Sequence, residues 1–191
     1  AKVPVWVKMT PNITHITEPG LAAAKGGADG ISAINTILSV IGVNLDTLKP
    51  MPTVEGFTVP GGYSCQAVRP IALRQVMELA RALPKSVSVC GIGGIERAED
   101  AIQFFLLGAS TVQVCTGVML HGLEIVQEMR TGLEKFLTDK KFENLAAVVG
   151  HSLKYFSTHA ELVQKQKAAK IAKAGESSRD NEWAEKKITE K

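Results

Sequence analysis

Apolar residues fall into two alternating rhythms along this chain. Residues 3–9 form a short, nearly continuous apolar run, which reads as a buried strand. Residues 18–25 then carry a helical pattern stopped by Gly26-Gly27. A second apolar run, 30–34, ends at Asn35-Thr36 and leads into a long stretch, 37–69, rich in Pro and Gly and expected to be irregular. Pro70 suits the first helical position, and a helix is predicted from there to Leu83, where Pro84 ends it. Residues 86–90 are the third strand, opening into Gly91-Ile92-Gly93-Gly94. In 98–107 the apolar residues Ala98, Ala101, Ile102, Phe105 and Leu106 share one helical face, and Gly108 is the stop. Residues 110–114 make the fourth strand, which runs out at Cys115-Thr116-Gly117. A helix over 123–137 follows, and 142–156 is expected to be helical and to pack outside the repeat. Gly27-Ala28 and Gly108-Ala109 stand at matching places before two of the strands, a weak internal echo of a repeated unit.

Strands alternating with helices predict an α/β fold with a parallel sheet and right-handed crossovers. Four βα units make the C-terminal half of a (β/α)8 TIM barrel, whose complete form needs about 250 residues. A half-barrel leaves two open parallel edges, which proteins avoid, so four further units are expected ahead of this chain. It starts inside a strand with no signal-like leader, which reads as a cut chain. An open doubly wound sheet is the alternative, but the Gly-rich fingerprint after its first strand is missing. The expected organisation is a half-barrel over 1–140, a helical extension over 141–164 and a charged, partly disordered tail over 165–191.

Charge sharpens the last boundary. Residues 165–191 hold eight Lys/Arg and five Asp/Glu, which accounts for the whole net charge of +3. The mixed signs and single Trp183 of that tail read as a solvated helix fading into disorder, not as a nucleic-acid surface. The three cysteines form no CxxC pair and the four histidines show no ligand spacing, so no metal or disulfide framework is expected. No apolar stretch approaches the roughly 20 residues that span a bilayer.

The chemistry concentrates at the strand ends, which is where (β/α) barrels bind ligands. Lys8 closes the first apolar run and opens onto Thr10-Pro11-Asn12. It has three readings: an exposed strand-end lysine, a Schiff-base amine, or a cation set against the reduced ring of a flavin. Gly93 and Gly94 let backbone N–H groups approach an anion, and Cys115-Thr116 offers a hydroxyl and further amides in the next loop. Together they predict a phosphate site after the last two strands; the alternative is that the glycines only make a tight turn. Asn12, Asn35 and Thr36 can pair with the N–H and C=O edge of a pyrimidine, although Asn12 could instead cap the following helix. The 37–69 stretch is long enough to be functional, and Gly61-Gly62-Tyr63-Ser64 could fold over a ligand. Cys65 in that loop is either a proton donor or unremarkable, since no His or Lys stands near it in sequence.

Several of these segments resemble one family in register over roughly residues 3–120: Lys8-Met9-Thr10-Pro11-Asn12, Ala33-Ile34-Asn35-Thr36, Gly61-Gly62-Tyr63-Ser64, Gly91-Ile92-Gly93-Gly94-Ile95 and Val112-Gln113-Val114-Cys115-Thr116. They resemble the flavin domain of the dihydropyrimidine dehydrogenase (NADP+) family, in its short plant-type form, a family related to dihydroorotate dehydrogenase. The resemblance implies FMN as cofactor, NADPH as ultimate electron donor and reduction of uracil or thymine to the 5,6-dihydropyrimidine. It assigns Lys8, Ser64, Cys65, Gly93, Gly94, Cys115 and Thr116 to the cofactor and Asn12, Asn35 and Thr36 to the pyrimidine. At Cys65 the family has a glycine that touches FMN, which puts that contact in doubt while leaving the loop. The general-acid cysteine lies upstream, so no catalytic residue is expected within this chain, and alone it should be inactive. The implied setting is a homodimer when full-length, in the cytoplasm, or in a plastid if a transit peptide lies upstream. Two other readings stay open: a dihydroorotate dehydrogenase-type enzyme, and a phosphosugar isomerase or aldolase barrel with Lys8 as its reactive amine.

Overall fold

The computed structural model describes residues 2–173. Its first unit runs to Leu153 and its second from Lys154. In chain order the elements are β1 (Trp6–Met9), α1 (Thr17–Lys25), β2 (Gly30–Ala33), β3 (Ile37–Ser39), β4 (Gly42–Asn44), β5 (Lys49–Met51) and β6 (Gly61–Tyr63). There follow α2 (Arg69–Ala82), β7 (Ser88–Ile92), α3 (Ala98–Leu106), β8 (Thr111–Gln113), α4 (Thr116–His121), α5 (Ile125–Lys140) and, in the second unit, α6 (His159–Lys173).

Strands β1, β2, β7 and β8 form one parallel sheet in that spatial order. The register fixes which residues share a face. Val7 pairs with Ile31 and Ile31 with Val89; Met9 pairs with Ala33, Ala33 with Gly91, and Gly91 with Val112. That face is covered by helices. Ile31 and Ala33 are fully buried with Leu79 of α2 and Phe104 of α3, and each large side chain so buried contributes about 1.5–3 kcal/mol. Gly91 is a glycine because a Cβ there would run into the Phe104 ring.

The opposite face is polar. Lys8, Ser32, Cys90 and Thr111 lie in one row across the four strands. Trp6 stands over Gly30 one step below, where a Cβ on Gly30 would meet the indole at 2.5–2.7 Å. Helices packed on one face only distinguish a barrel wall from a doubly wound sheet, which carries them on both. The chain is thus part of a (β/α)8-type barrel with four parallel strands.

Three expectations change. The 37–69 stretch is not irregular: β4 and β5 form a short antiparallel hairpin, enclosed in sequence by the antiparallel pair β3–β6, before a 3₁₀ turn at Gln66–Val68. Residues 142–156 are not a helix but hold two 3₁₀ turns, Leu145–Ala147 and Leu153–Tyr155. Phe142, Leu145 and Val148 pack into the core of the first unit, so residues 141–153 belong to it. The helix α4 directly after β8 was not foreseen. In the second unit α6 carries the start of the basic segment as regular helix through residue 173; the disorder expected further on lies outside the described residues.

Candidate functional site

The C-terminal ends of the four sheet strands converge on one cavity. Its lining includes Lys8 from β1, Asn35 and Thr36 after β2, Gly93 and Gly94 after β7, and Cys115 and Thr116 after β8. The end of β6 adds Tyr63, Ser64 and Cys65. Of the residues the resemblance assigned to cofactor or pyrimidine, all line this cavity except Asn12. Lys8 is the one cation among the lining residues, and Glu96 the one carboxylate.

Glycines mark where these loops touch. Gly93 and Gly94 have φ of +133° and +73°, a region that L side chains rarely adopt. A Cβ on Gly94 would lie 2.8 Å from the Cys65 carbonyl oxygen and from Arg69 Cβ. The loop after β7 is thus pressed onto the loop after β6. Gly117 does the same for the third loop, since a Cβ there would lie 2.8 Å from the Ile95 carbonyl oxygen. Cys65 itself sits at φ +70°, ψ −163°. That conformation suits glycine and costs a cysteine on the order of 1–3 kcal/mol.

A charged network that reaches the cavity wall at Glu96 holds this geometry. Arg69 at the start of α2 pairs with the buried carboxylate of Asp100 in α3 and donates to the Gly94 carbonyl at 3.3 Å. The other oxygen of Asp100 accepts the N–H groups of Glu96 at 3.0 Å and Arg97 at 3.2 Å. Glu96 in turn accepts from Gln66 Nε2 at 2.6 Å and faces His121 Nε2 at 3.7 Å. Sequence reasoning missed Arg69, Asp100, Glu96 and Gln66. The one local signal was Glu99-Asp100 in the first turn of a predicted helix, where carboxylates meet free N–H groups.

Asn12 faces elsewhere. Its amide Nδ2 donates to the Thr36 carbonyl at 3.3 Å, and its Oδ1 accepts the Leu38 N–H at 2.9 Å. It neither lines the cavity nor caps α1. On the polar sheet face Cys90 is buried, and burial pushes its thiol above the ordinary value, partly offset by nearby Thr111, Ser32 and Gln113. No cluster of three or more His, Cys, Asp or Glu able to hold a metal occurs among the described residues. No described helix is long and apolar enough to cross a membrane.

The chemistry of the lining fits a flavin mononucleotide. Amides of two Gly-containing loops and the Thr116 hydroxyl can take a phosphate. Lys8 can stand against a ring that gains negative charge on reduction, and the Asn35-Thr36 edge can meet a flat, imide-bearing substrate.

Comparison with known proteins agrees with this arrangement. The model of the dihydroorotate dehydrogenase family matches residues 1–137. The chain is 50% identical over 191 residues, 96% of its length, to the chloroplastic dihydropyrimidine dehydrogenase (NADP(+)) of Arabidopsis thaliana, and covers 45% of that protein. It is 47% identical over 150 residues to the NAD-dependent dihydropyrimidine dehydrogenase subunit PreA of Escherichia coli K12, covering 78% of this chain and 36% of that one. It is 41% identical over 151 residues to the catalytic subunit of dihydroorotate dehydrogenase B (NAD(+)) of Pyrococcus horikoshii, covering 79% and 48%. The chain spans less than half the length of these curated relatives. With a family match over most of its length and a barrel-mouth cavity built from the matched segment, the chain belongs to the dihydroorotate dehydrogenase family.

Proposed function

We propose that the full protein carrying this chain reduces the 5,6 double bond of uracil or thymine, with NADPH as the ultimate donor and FMN as the resident cofactor. The observation that carries this reading is the grouping of Lys8, Asn35-Thr36, Gly93-Gly94 and Cys115-Thr116 around one cavity. When bound and reduced, FMN supplies a hydride to C6 of the pyrimidine.

The chain's own residues bind and orient. Gly93, Gly94, Cys115 and Thr116 hold the phosphate through backbone N–H groups and one hydroxyl. The Lys8 ammonium stabilises negative charge at the pyrimidine-like end of the flavin ring, an electrostatic effect strengthened where water is excluded. Ser64 and the Cys65 backbone close over the cofactor from the β6 side. Asn35 and Thr36 hold the substrate's imide edge by donating to its carbonyl oxygens and accepting from its N–H. The proton for C5 comes from a general acid that these residues do not include.

Dihydroorotate chemistry is the second reading, supported by the relative from Pyrococcus horikoshii. Of the two compartments considered, the chloroplastic relative favours the plastid. The deciding experiment is anaerobic: full-length protein is reduced with NADPH, then offered uracil or orotate. Return of the oxidised flavin's visible absorbance with uracil alone, and formation of dihydrouracil, support the proposal. Reoxidation by orotate alone overturns it.

A further inference from the structure

Asn12 was a candidate substrate contact, and the structure puts its amide to a different use. The side chain donates through Nδ2 to the Thr36 carbonyl at 3.3 Å and accepts the Leu38 N–H on Oδ1 at 2.9 Å. Thr36 C=O and Leu38 N–H point to the same edge of an extended segment, because alternate residues share an edge. The other edge is taken by β6, with Ile37 opposite Tyr63. One planar amide therefore replaces a neighbouring strand on the free edge of β3. Thr10 holds that amide in place: its Oγ1 accepts both the Asn12 N–H at 3.2 Å and Nδ2 at 3.0 Å.

The same segment is pinned just upstream. Ile34 N–H donates to the Ile92 carbonyl and Asn35 N–H to the Met9 carbonyl, both at 2.8 Å. Residues 34–38 are thus fixed at four points, and three of those bonds come from β1 or the turn after it. The turn has its own anchor inside the protein. Gln75 of α2 is fully buried and donates Nε2 to the Pro11 carbonyl at 3.3 Å. Its Oε1 has no hydrogen-bond partner among the described residues. A buried amide with one end unsatisfied is costly to keep, and tying down Pro11 is the use the structure gives it.

We propose that Asn12 and Gln75 are positioning residues: they set where Asn35 and Thr36 stand relative to Lys8, and so how a pyrimidine is aligned with the flavin. This rests on the function proposed above. Neither side chain touches the cavity, so neither should alter cofactor retention. Both should alter the step in which substrate geometry matters, and misplacement of a reacting group by about 1 Å can cost on the order of a hundredfold in rate.

The test uses the full-length protein with Asn12→Ala, Asn12→Asp and Gln75→Leu. Three quantities are measured: bound FMN, the NADPH-driven reduction of flavin, and its reoxidation by uracil. Amide hydrogen exchange at Leu38 is followed alongside. Asn12→Ala should keep its flavin and its rate of flavin reduction, slow reoxidation by uracil between about ten- and a hundredfold, and speed exchange at Leu38. Asn12→Asp keeps the bond to Leu38 but sets an anion against the Thr36 carbonyl. It should retain Leu38 protection and still slow reoxidation, a separation that mere loss of packing would not give. Gln75→Leu preserves bulk and should move uracil reoxidation in the same direction by less. Uracil reoxidation within twofold of wild type in Asn12→Ala overturns the proposal, as does loss of flavin in step with activity. If the wild-type protein does not reduce uracil, the function assigned above fails; unchanged Leu38 exchange in Asn12→Ala would then separately sink the positioning role.

Discussion

The two faces of the four-stranded sheet are written by the same sixteen residues and share nothing else. Facing the helices are Val7, Met9, Ile31, Ala33, Val89, Gly91 and Val112, apolar or small, with Ile31 and Ala33 wholly shielded. Facing the other way are Trp6, Lys8, Ser32, Cys90, Thr111 and Gln113. A two-residue period sends alternate side chains to opposite sides, so stability and chemistry can be set independently along one strand. The outer face carries the packing that holds four βα units together. The inner face carries the one lining cation and leads, at its upper rim, into the loops that build the cavity.

That division makes unequal demands on single substitutions. Phe104→Ala on the outer side should cost about 3–5 kcal/mol, because a fully buried ring leaves a cavity against Gly91. Urea unfolding of the full-length protein measures it, and a loss under about 1 kcal/mol would mean the outer face is not the core. Lys8→Ala on the inner side should lower kcat for pyrimidine reduction by about a hundredfold. Its urea midpoint should stay close to wild type, since Lys8 is exposed. A variant with full turnover would remove Lys8 from the flavin. At the rim, Asn35→Ala should reduce kcat/KM for uracil tenfold or more, with flavin content unchanged, as an unpaired imide group costs about 1–3 kcal/mol.

The smallest effect is a pH dependence. Burial raises the Cys90 thiol above its ordinary value of 9.0, so the folded protein keeps that proton to higher pH than the unfolded chain does. Its contribution is complete below the ordinary value and is lost as pH rises through the folded one. Thermal unfolding between about pH 8 and about pH 10 should therefore fall more steeply in wild type than in Cys90→Ser. Parallel curves would show that the inner row is wet.

The βα repeat was legible because its signals are local. Each strand is a short apolar run, each helix has a stop such as Gly26 or Gly108, and barrel architecture by itself carries strand ends to one mouth. That is why Lys8, Asn35, Gly93 and Cys115 could be read as neighbours before any geometry was known. The strand pairs in residues 37–63 were not legible, because β3 to β6 are three residues each, one contains Pro50 and another Gly61-Gly62. Three residues show no period, and glycine shows no face. The pairs that fix the site were hidden for another reason. Arg69 and Asp100 are 31 residues apart and Gln75 and Pro11 are 64 apart, and no local pattern announces a bond across such distances. Asn12 was misplaced because the direction of its amide depends on β3, which the sequence did not reveal.

The Trp6–Gly30 contact gives the inner face a fluorophore. Trp6 is 41% exposed and stacks where a larger residue than glycine could not sit. The chain has two tryptophans, and the other, Trp183, is outside the described residues. Replacing Trp183 with Phe leaves one emitter inside this chain, on the polar side of the sheet and on the same strand as Lys8. Its emission shifts to the blue when apolar surface covers that side and is quenched when a yellow chromophore arrives nearby. Closure of the barrel and loading of its cofactor thereby become two separable optical signals from a single indole.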